Sequence, residues 1–403
     1  MSRRLAVLVA MVAFGCGRLG LVRRPGAFED DVRFLKAHSD AFVLSDGEAQ
    51  VAVVPQYQGR VMTSTATGPG GLSFGWLNRE LIASGERKRG MNPFGGEDRF
   101  WLGPEGGQFA IFFKKGDPFD LAHWQTPEPI DWGPWELVSR TQRSATFRRK
   151  MSLVNYSGTR FDLVADRTIR LLGPEAVKDL LGVRPGPGVR LVAYESDNRI
   201  TNTGKKPWRK ETGLLSIWIL CMYRPSPRTV VVVPYKEGPV EDLGPIVNDA
   251  YFGRVPPERL KVERGMIYFK CDGRHRSKIG LGPRRARAVL GSYDGTNGVL
   301  TIAQYDKPEG VTDYVNSMWE IQEHPYAGDV VNSYNDGPPA PGKKPMGPFY
   351  EIESSSPAAA LAPGQSLRHI HRTFHFVGPR GELDAIARGV LGVGLARIEA
   401  AFE

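Results

Sequence analysis

Three cysteines in 403 residues are too few for a disulfide framework. Cys16 belongs to an N-terminal apolar segment. Cys221 lies inside the apolar run Leu214–Tyr223 and reads as a buried thiol, with a bridge to Cys271 as the alternative. Phosphate loops are missing too. No Gly-Lys-Ser/Thr follows a glycine loop, and no G-x-G-x-x-G opens a helix after a strand. The absence of a G-x-S-x-G elbow removes support for acyl transfer. Charge of one sign is scarce as a patch. Lys and Arg total 53 against 44 acids, a net +9 spread along the chain. Its densest run is Arg274, His275, Arg276, Lys278, Arg284, Arg285 and Arg287, with no nucleic-acid module around it. That run reads as a solvated strand pair, and no nucleic-acid partner is expected. There is no repeat of fixed period and no low-complexity linker.

What is present begins at the N-terminus. Arg3 and Arg4 precede LAVLVAMVAFG (Leu5–Gly15) and then Cys16. A charged stretch before a short apolar one is the layout of a secretory signal. The apolar part is shorter than the roughly 20 residues a membrane span needs. Ala13-Phe14-Gly15-Cys16 resembles a bacterial lipoprotein cleavage box, although Ala13 stands where Leu is usual. The expectation is a lipoprotein-type signal over residues 1–20, a lipid anchor on Cys16, and a periplasmic or outer-envelope location. The plainer alternative is a cleaved signal in which Cys16 has no role.

Glycine (47) and proline (31) are frequent enough to favour many turns over long helices. A helix is expected over Phe28–Ala37. Short runs of β-type residues then recur: Ala49–Pro55, Gln108–Phe113, Ala145–Leu153, Thr159–Leu171, Val189–Asn202, Leu214–Met222, Thr229–Pro234, Arg264–Lys270, Ala286–Tyr293, Val299–Tyr305, Phe349–Ser354 and Ser366–Phe376. Many alternate apolar and polar residues, as half-buried antiparallel strands do. The last puts His369, His371, Thr373 and His375 on one face, and Ile370, Arg372, Phe374 and Phe376 on the other. Glu382–Phe402 has helical spacing. The pattern predicts an all-β fold: one large antiparallel sandwich over 28–377, with short N- and C-terminal helices outside it, the latter over 380–403.

Asn92–Phe113 (NPFGGEDRFWLGPEGGQFAIFF) gathers Glu97, Asp98, Arg99 and Glu105 among glycines and aromatics. Two acids would repel phosphate. Acids, an arginine and flat rings suit a neutral ligand rich in hydroxyls. Gly95-Gly96-Glu97-Asp98-Arg99-Phe100-Trp101 is similar to the paired-glycine, arginine and aromatic signature of the galactose mutarotase-like superfamily. Asn202-Thr203-Gly204-Lys205-Lys206-Pro207 resembles its asparagine turn. Phe349–Gln365 resembles its C-terminal strand and L-x-P-G-x turn. The three occur in the family's order, the resemblance spans about residues 40–377, and within the superfamily the chain looks closest to bacterial lipoproteins.

The resemblance implies a β-supersandwich with a shallow cleft on a concave sheet and a carbohydrate ligand; separately, no cofactor or metal is expected. It assigns Glu353 as the catalytic base, Arg99 as a ligand of sugar hydroxyls and His123 as the first histidine. The second family histidine has no counterpart in Trp208–Trp218; His324 is a substitute from another loop. Mutarotation needs one group to take the anomeric proton and another to protonate the ring oxygen, so Glu353 and His123 form the catalytic pair. Asp98, Trp101, Trp124, His324, Asn332 and Glu351 complete the expected substrate-binding set. Tryptophans beside charged loop residues present a ring to sugar C–H faces and an N–H to a hydroxyl. Trp218, inside an apolar strand, reads as core. Gly328–Gly337 reads as a loop, with Ca²⁺ ligation the weaker alternative. His369, His371 and His375 read as satisfied or exposed strand histidines before metal ligands. The readings carried forward are an aldose epimerase-type isomerase, a non-catalytic glycan-binding lipoprotein, and a glycosidase or lyase on the same scaffold. For the last, Glu351 and Glu353 share a strand face about 7 Å apart, and Asp98 or Glu105 offers an opposing acid.

Overall fold

The computed structural model describes residues 26–403. The signal segment and Cys16 lie outside the described residues. Eighteen strands form three antiparallel sheets. Ten strands make the largest, in the order Leu260–Glu263, Met266–Lys270, Thr229–Pro234, Val289–Asp294, Val299–Tyr305, Ser366–Val377, Arg190–Asn202, Arg160–Leu171, Ser144–Val154 and Glu136–Arg140. Against it lies a five-stranded sheet: Ser277–Leu281, Val331–Asn335, Tyr350–Ser355, Ser216–Tyr223 and Arg99–Gly103. A third sheet, Phe42–Asp46, Ala49–Val54 and Arg60–Thr65, carries the N-terminal helix Phe28–His38.

The two-residue alternation builds the layers. Val231, Val233, Ile267, Phe269, Leu290 and Ala303 point from the large sheet toward Phe100, Leu102, Ile219, Cys221 and Ile352 of the smaller one. Their neighbours Val230, Val232, Leu300, Ile302, Phe374 and Phe376 point outward. Leu383, Ile386, Leu391, Leu395 and Ile398 of the C-terminal helices cover them. The expected helix over Glu382–Phe402 is two helices, Arg380–Leu391 and Leu395–Glu399. Gly392, at a φ of 78°, ends the first, because a left-handed residue cannot continue an α-helix.

The alternating histidines of Ser366–Val377 face inward with partners. His369 Nε2 and His371 Nδ1 each lie 2.9 Å from Ser354 Oγ, and His371 Nε2 is 3.4 Å from Cys221 Sγ. His375 sits between Thr301 Oγ1 (2.8 Å) and Glu97 Oε2 (3.1 Å). Cys221 and Cys271 are both free and buried.

Three sequence expectations need correction. Gln108–Phe113 is a run of turns and bends: Ala110, Ile111, Phe112 and Phe113 are buried, but by packing and not by strand pairing. Gly328–Gly337 contains the buried strand Val331–Asn335. The basic run is not a solvated pair, because Ser277–Leu281 is buried throughout.

Candidate functional site

One face of the five-stranded sheet meets the large sheet and the other is turned away from it. Cross-strand register aligns the outward residues in rows. Lys278 pairs with Tyr334, Tyr334 with Glu351, and Glu351 with Met222. In the next row Asn332 pairs with Glu353, Glu353 with Leu220, and Leu220 with Arg99. Trp218 pairs with Trp101. Successive residues alternate faces, so these belong to one surface.

That surface floors a hollow of about 120 Å³, walled by Trp101, Trp124, Trp218, Trp319, Phe252 and Phe349. At the ~10–15 Å³ that one water needs, this is room for about ten heavy atoms, roughly one sugar ring. The tryptophans brace one another. Trp101 meets Trp218 edge-on at 5.5 Å, and Trp124 stacks on Phe112 at 5.9 Å and on Trp319 at 6.1 Å.

The glycine-flanked segment splits its charges between two sides. Gly95 and Gly96 have φ of 93° and 112°. A Cβ on Gly95 would lie 2.0 Å from the Trp76 carbonyl oxygen, so only glycine admits this approach. The chain then enters its strand with Asp98 turned in and Arg99 turned out. Glu97, also buried, accepts hydrogen bonds from the Ser64 amide (2.5 Å), the Ser64 hydroxyl (2.7 Å) and the Tyr194 hydroxyl (3.0 Å). Asp98 pairs with Arg167 at 2.6 Å, both side chains fully buried. Arg99 donates to Glu351 at 2.9 Å and lies 4.2 Å from the Trp101 ring centre. Beyond the strand, a Cβ on Gly106 would come 2.2 Å from the Met318 carbonyl oxygen. That contact, and the paired Gln108 and Gln322 bonds of 2.8 and 3.0 Å, hold Glu105 and Trp319 over the hollow.

The electrostatics follow from burial. Desolvation raises the Glu351 carboxyl to about 7; Arg99 pulls it down and Glu353 pushes it up. Desolvation also raises Glu105 to about 7, against the pull of Lys278. Burial works against the Lys278 ammonium, but Glu353 and Glu105 outweigh it and its pKa lies above the usual lysine range. Glu353 Oε2 accepts from Lys278 Nζ and from Trp218 Nε1, both at 2.9 Å. Four buried polar atoms of this region have no protein partner: Trp101 Nε1, Trp124 Nε1, Arg99 Nε and Glu353 Oε1.

Of the residues expected from the sequence, Arg99, Trp101, Trp124 and Glu351 line the hollow. Glu353 lies beneath it, fully buried in its ion pair. The others are elsewhere. His123 is half-exposed on a loop, 2.7 Å from Asp120 Oδ1, beside a separate depression with Gln125 and Thr126. Asp98 faces the interior because it is one residue out of phase with Arg99. Asn332 is on the outward face but outside the hollow's lining, and donates to Tyr251 Oη at 3.1 Å. His324 stands on the rim of a broad groove with Asp313 and Lys210. Expected as core, Trp218 instead lines the hollow. Its strand is apolar on both faces, which signals a second covered surface. Lys278 carried a signal as well: in Ser277–Leu281 it alternates with the inward Ile279 and Leu281.

Solved structures share this fold. The Slr1438 protein of Synechocystis sp. PCC 6803 is 13% identical, with a TM-score of 0.50 over 85% of this chain and 96% of that one. A candidate aldose 1-epimerase, b2544, of Escherichia coli K12 is 12% identical, with a TM-score of 0.48 over 84% and 99%. A galactose mutarotase-like protein of Lactobacillus casei ATCC 334 is 9% identical, with a TM-score of 0.46 over 83% and 99%. The architecture is the galactose mutarotase-like β-supersandwich that the sequence motifs resemble. A search of curated proteins finds no match. A sequence model for a family of unknown function, DUF6786, matches residues 26–402, and the chain belongs to that family.

Proposed function

We propose that this protein is an exported carbohydrate-active protein that holds one sugar ring in the tryptophan-walled hollow and interconverts its anomers. The observation that carries this reading is the set of unpartnered polar atoms around the hollow, Trp101 Nε1, Trp124 Nε1 and Arg99 Nε. A buried donor without a partner costs about 1–3 kcal/mol, and ligand hydroxyls between flat apolar walls remove that cost. Glu105 and Glu351 fit the acid–base roles better than Glu353 and His123. Both carboxyls are held near 7, so each passes a proton readily at neutral pH. They come from different elements, a loop and a strand, so they approach a ring from different directions. One takes the proton of the anomeric hydroxyl as the other protonates the ring oxygen. The ring opens, the aldehyde turns, and reclosure reverses both transfers. Export rests on Arg3, Arg4 and the apolar run before Cys16, with the lipid anchor on Cys16.

A second reading, a glycan-binding module without catalysis, is favoured by the Arg99–Glu351 ion pair, which engages one of the two carboxyls. Anomer exchange by NMR over a panel of aldoses separates the two. Catalysis predicts exchange faster than buffer, lost about 100-fold or more in Glu105→Gln and in Glu351→Gln. Binding without exchange supports the module, and a panel in which no sugar binds overturns both.

A further inference from the structure

The charges of the hollow do not balance, and Arg276 is the reason. Three cations line it: Arg99, Lys278 and Arg276. Arg99 is paired with Glu351 and Lys278 with Glu353. Arg276 has no carboxylate within ion-pair distance among the described residues. Its guanidinium lies 3.7 Å from the centre of the Phe252 ring, which holds it flat at the wall. The acid whose charge reaches it, Asp336, makes no ion pair with it: its Oδ1 accepts from Tyr334 Oη at 2.8 Å and its Oδ2 from the Gly347 amide at 2.9 Å. The one acid of the hollow without an ion pair, Glu105, is half-protonated near neutral pH. The site therefore presents one guanidinium without an ion-pair partner, held on an aromatic ring, beside rings and hydrogen-bond donors suited to a sugar.

We infer that the sugar is acidic: a ring bearing one carboxylate, a uronate, which Arg276 takes as its missing counter-ion. A planar guanidinium matches a planar carboxylate through two parallel N–H···O bonds, and stacking on Phe252 fixes the fork before the ligand arrives. One free cation answers one negative charge, whereas a sugar phosphate dianion would find only half its charge met. This inference rests on the hollow being a sugar site. It adds the substrate class.

The test is calorimetric titration of the whole chain with glucuronate and galacturonate against glucose and galactose. The expected result is that each uronate binds at least about tenfold more tightly than its neutral counterpart. In Arg276→Gln that ratio falls to about 1, and Arg276→Lys retains part of it. Raising salt from about 50 to 500 mM weakens uronate binding to the unmodified chain and leaves neutral sugars unchanged, a readout that needs no variant. Equal affinity for uronate and neutral sugar, or a preference that survives Arg276→Gln in a folded variant, overturns the inference and leaves the sugar site standing. Tighter binding of the hexose 6-phosphates than of the uronates overturns the single-charge class. Binding of no sugar at all overturns both this inference and the reading beneath it.

Discussion

The two faces of the five-stranded sheet carry similar residues in opposite states. On the inward side Glu97 accepts four hydrogen bonds, and Asp98 is joined to Arg167, which also reaches Asn198 at 2.9 Å. On the outward side two carboxyls sit near 7 and two indole N–H groups lack a partner. Both faces are buried, so burial does not separate a structural acid from a working one; where the partners lie does, since the inward charges are tied by bonds across the two sheets even though Asp98 Oδ2 and His369 Nδ1 have no partner, whereas the outward groups that lack one border a hollow. Bonds across the sheets fix a charge and join the layers, while an unpartnered group beside a hollow is free to exchange a proton or meet a ligand.

The sharpest way to break this comparison is on the inward face. Asp98→Ala leaves the Arg167 guanidinium charged and fully buried without its carboxylate. The expected loss is about 3–5 kcal/mol of unfolding free energy, read by denaturant titration. A loss near zero would mean that the inward network is no tighter than the outward one.

Proton linkage sharpens the contrast, because the faces titrate in opposite senses. Burial lowers His369 to about 3 and His371 to about 4, with neighbouring positive charge contributing. Unfolded histidine takes a proton below about 6.5 and the native rings do not, so their stability is lost as pH falls through that range. Glu351 and Glu105 are raised to about 7. They hold protons in the native state that the unfolded chain releases above about 4.5. Their contribution is therefore fully present at low pH and lost as pH rises through 7. Between about pH 5 and 6.5 the two effects oppose. Glu351→Gln removes one carboxyl term, so its unfolding free energy should fall with decreasing pH by about 1.4 kcal/mol per unit more than the parent's. Parallel profiles for parent and variant would show that Glu351 titrates normally.

Much of the fold was legible because alternation is strong where a strand has a wet face, as in Arg160–Leu171, and because a β-branched run such as Thr229–Pro234 marks a strand covered on both faces. Thr229–Pro234 and Val299–Tyr305 have their expected bounds, and Ser366–Val377 extends its expected range by one residue. The strands not found are short or buried on both sides. Arg99–Gly103 and Val331–Asn335 are five residues each; the first sits among glycines and the second carries Asn332, Ser333 and Asn335, so they imitate loops. The site was legible in part for the same reason. Arg99, Trp101, Trp124 and Glu351 stand out as charged or aromatic residues beside glycine or at alternating positions. Arg276 was hidden in a basic run that looks solvated, and the alternation around Lys278 gives its side of a strand but not its burial, which follows from pairing with Val331–Asn335. Asp98 and Arg99 are adjacent in sequence, yet one pleat sends them to opposite sides of a sheet; assigning each a side requires the strand itself.

The smallest effect expected is the most discriminating for the outward face. Trp101→Phe keeps a ring in the wall and removes an N–H that has no protein partner. At a structural position with a satisfied hydrogen bond such a change destabilises by about 1 kcal/mol. Here no bond is lost, and a desolvated polar group disappears. Unfolding free energy should hold steady or rise by less than about 1 kcal/mol, while sugar affinity falls roughly five- to tenfold. The two readouts move apart only if the indole N–H is reserved for a ligand. If stability and affinity fall together, the N–H already serves the fold, and the distinction between the two faces of the sheet is lost.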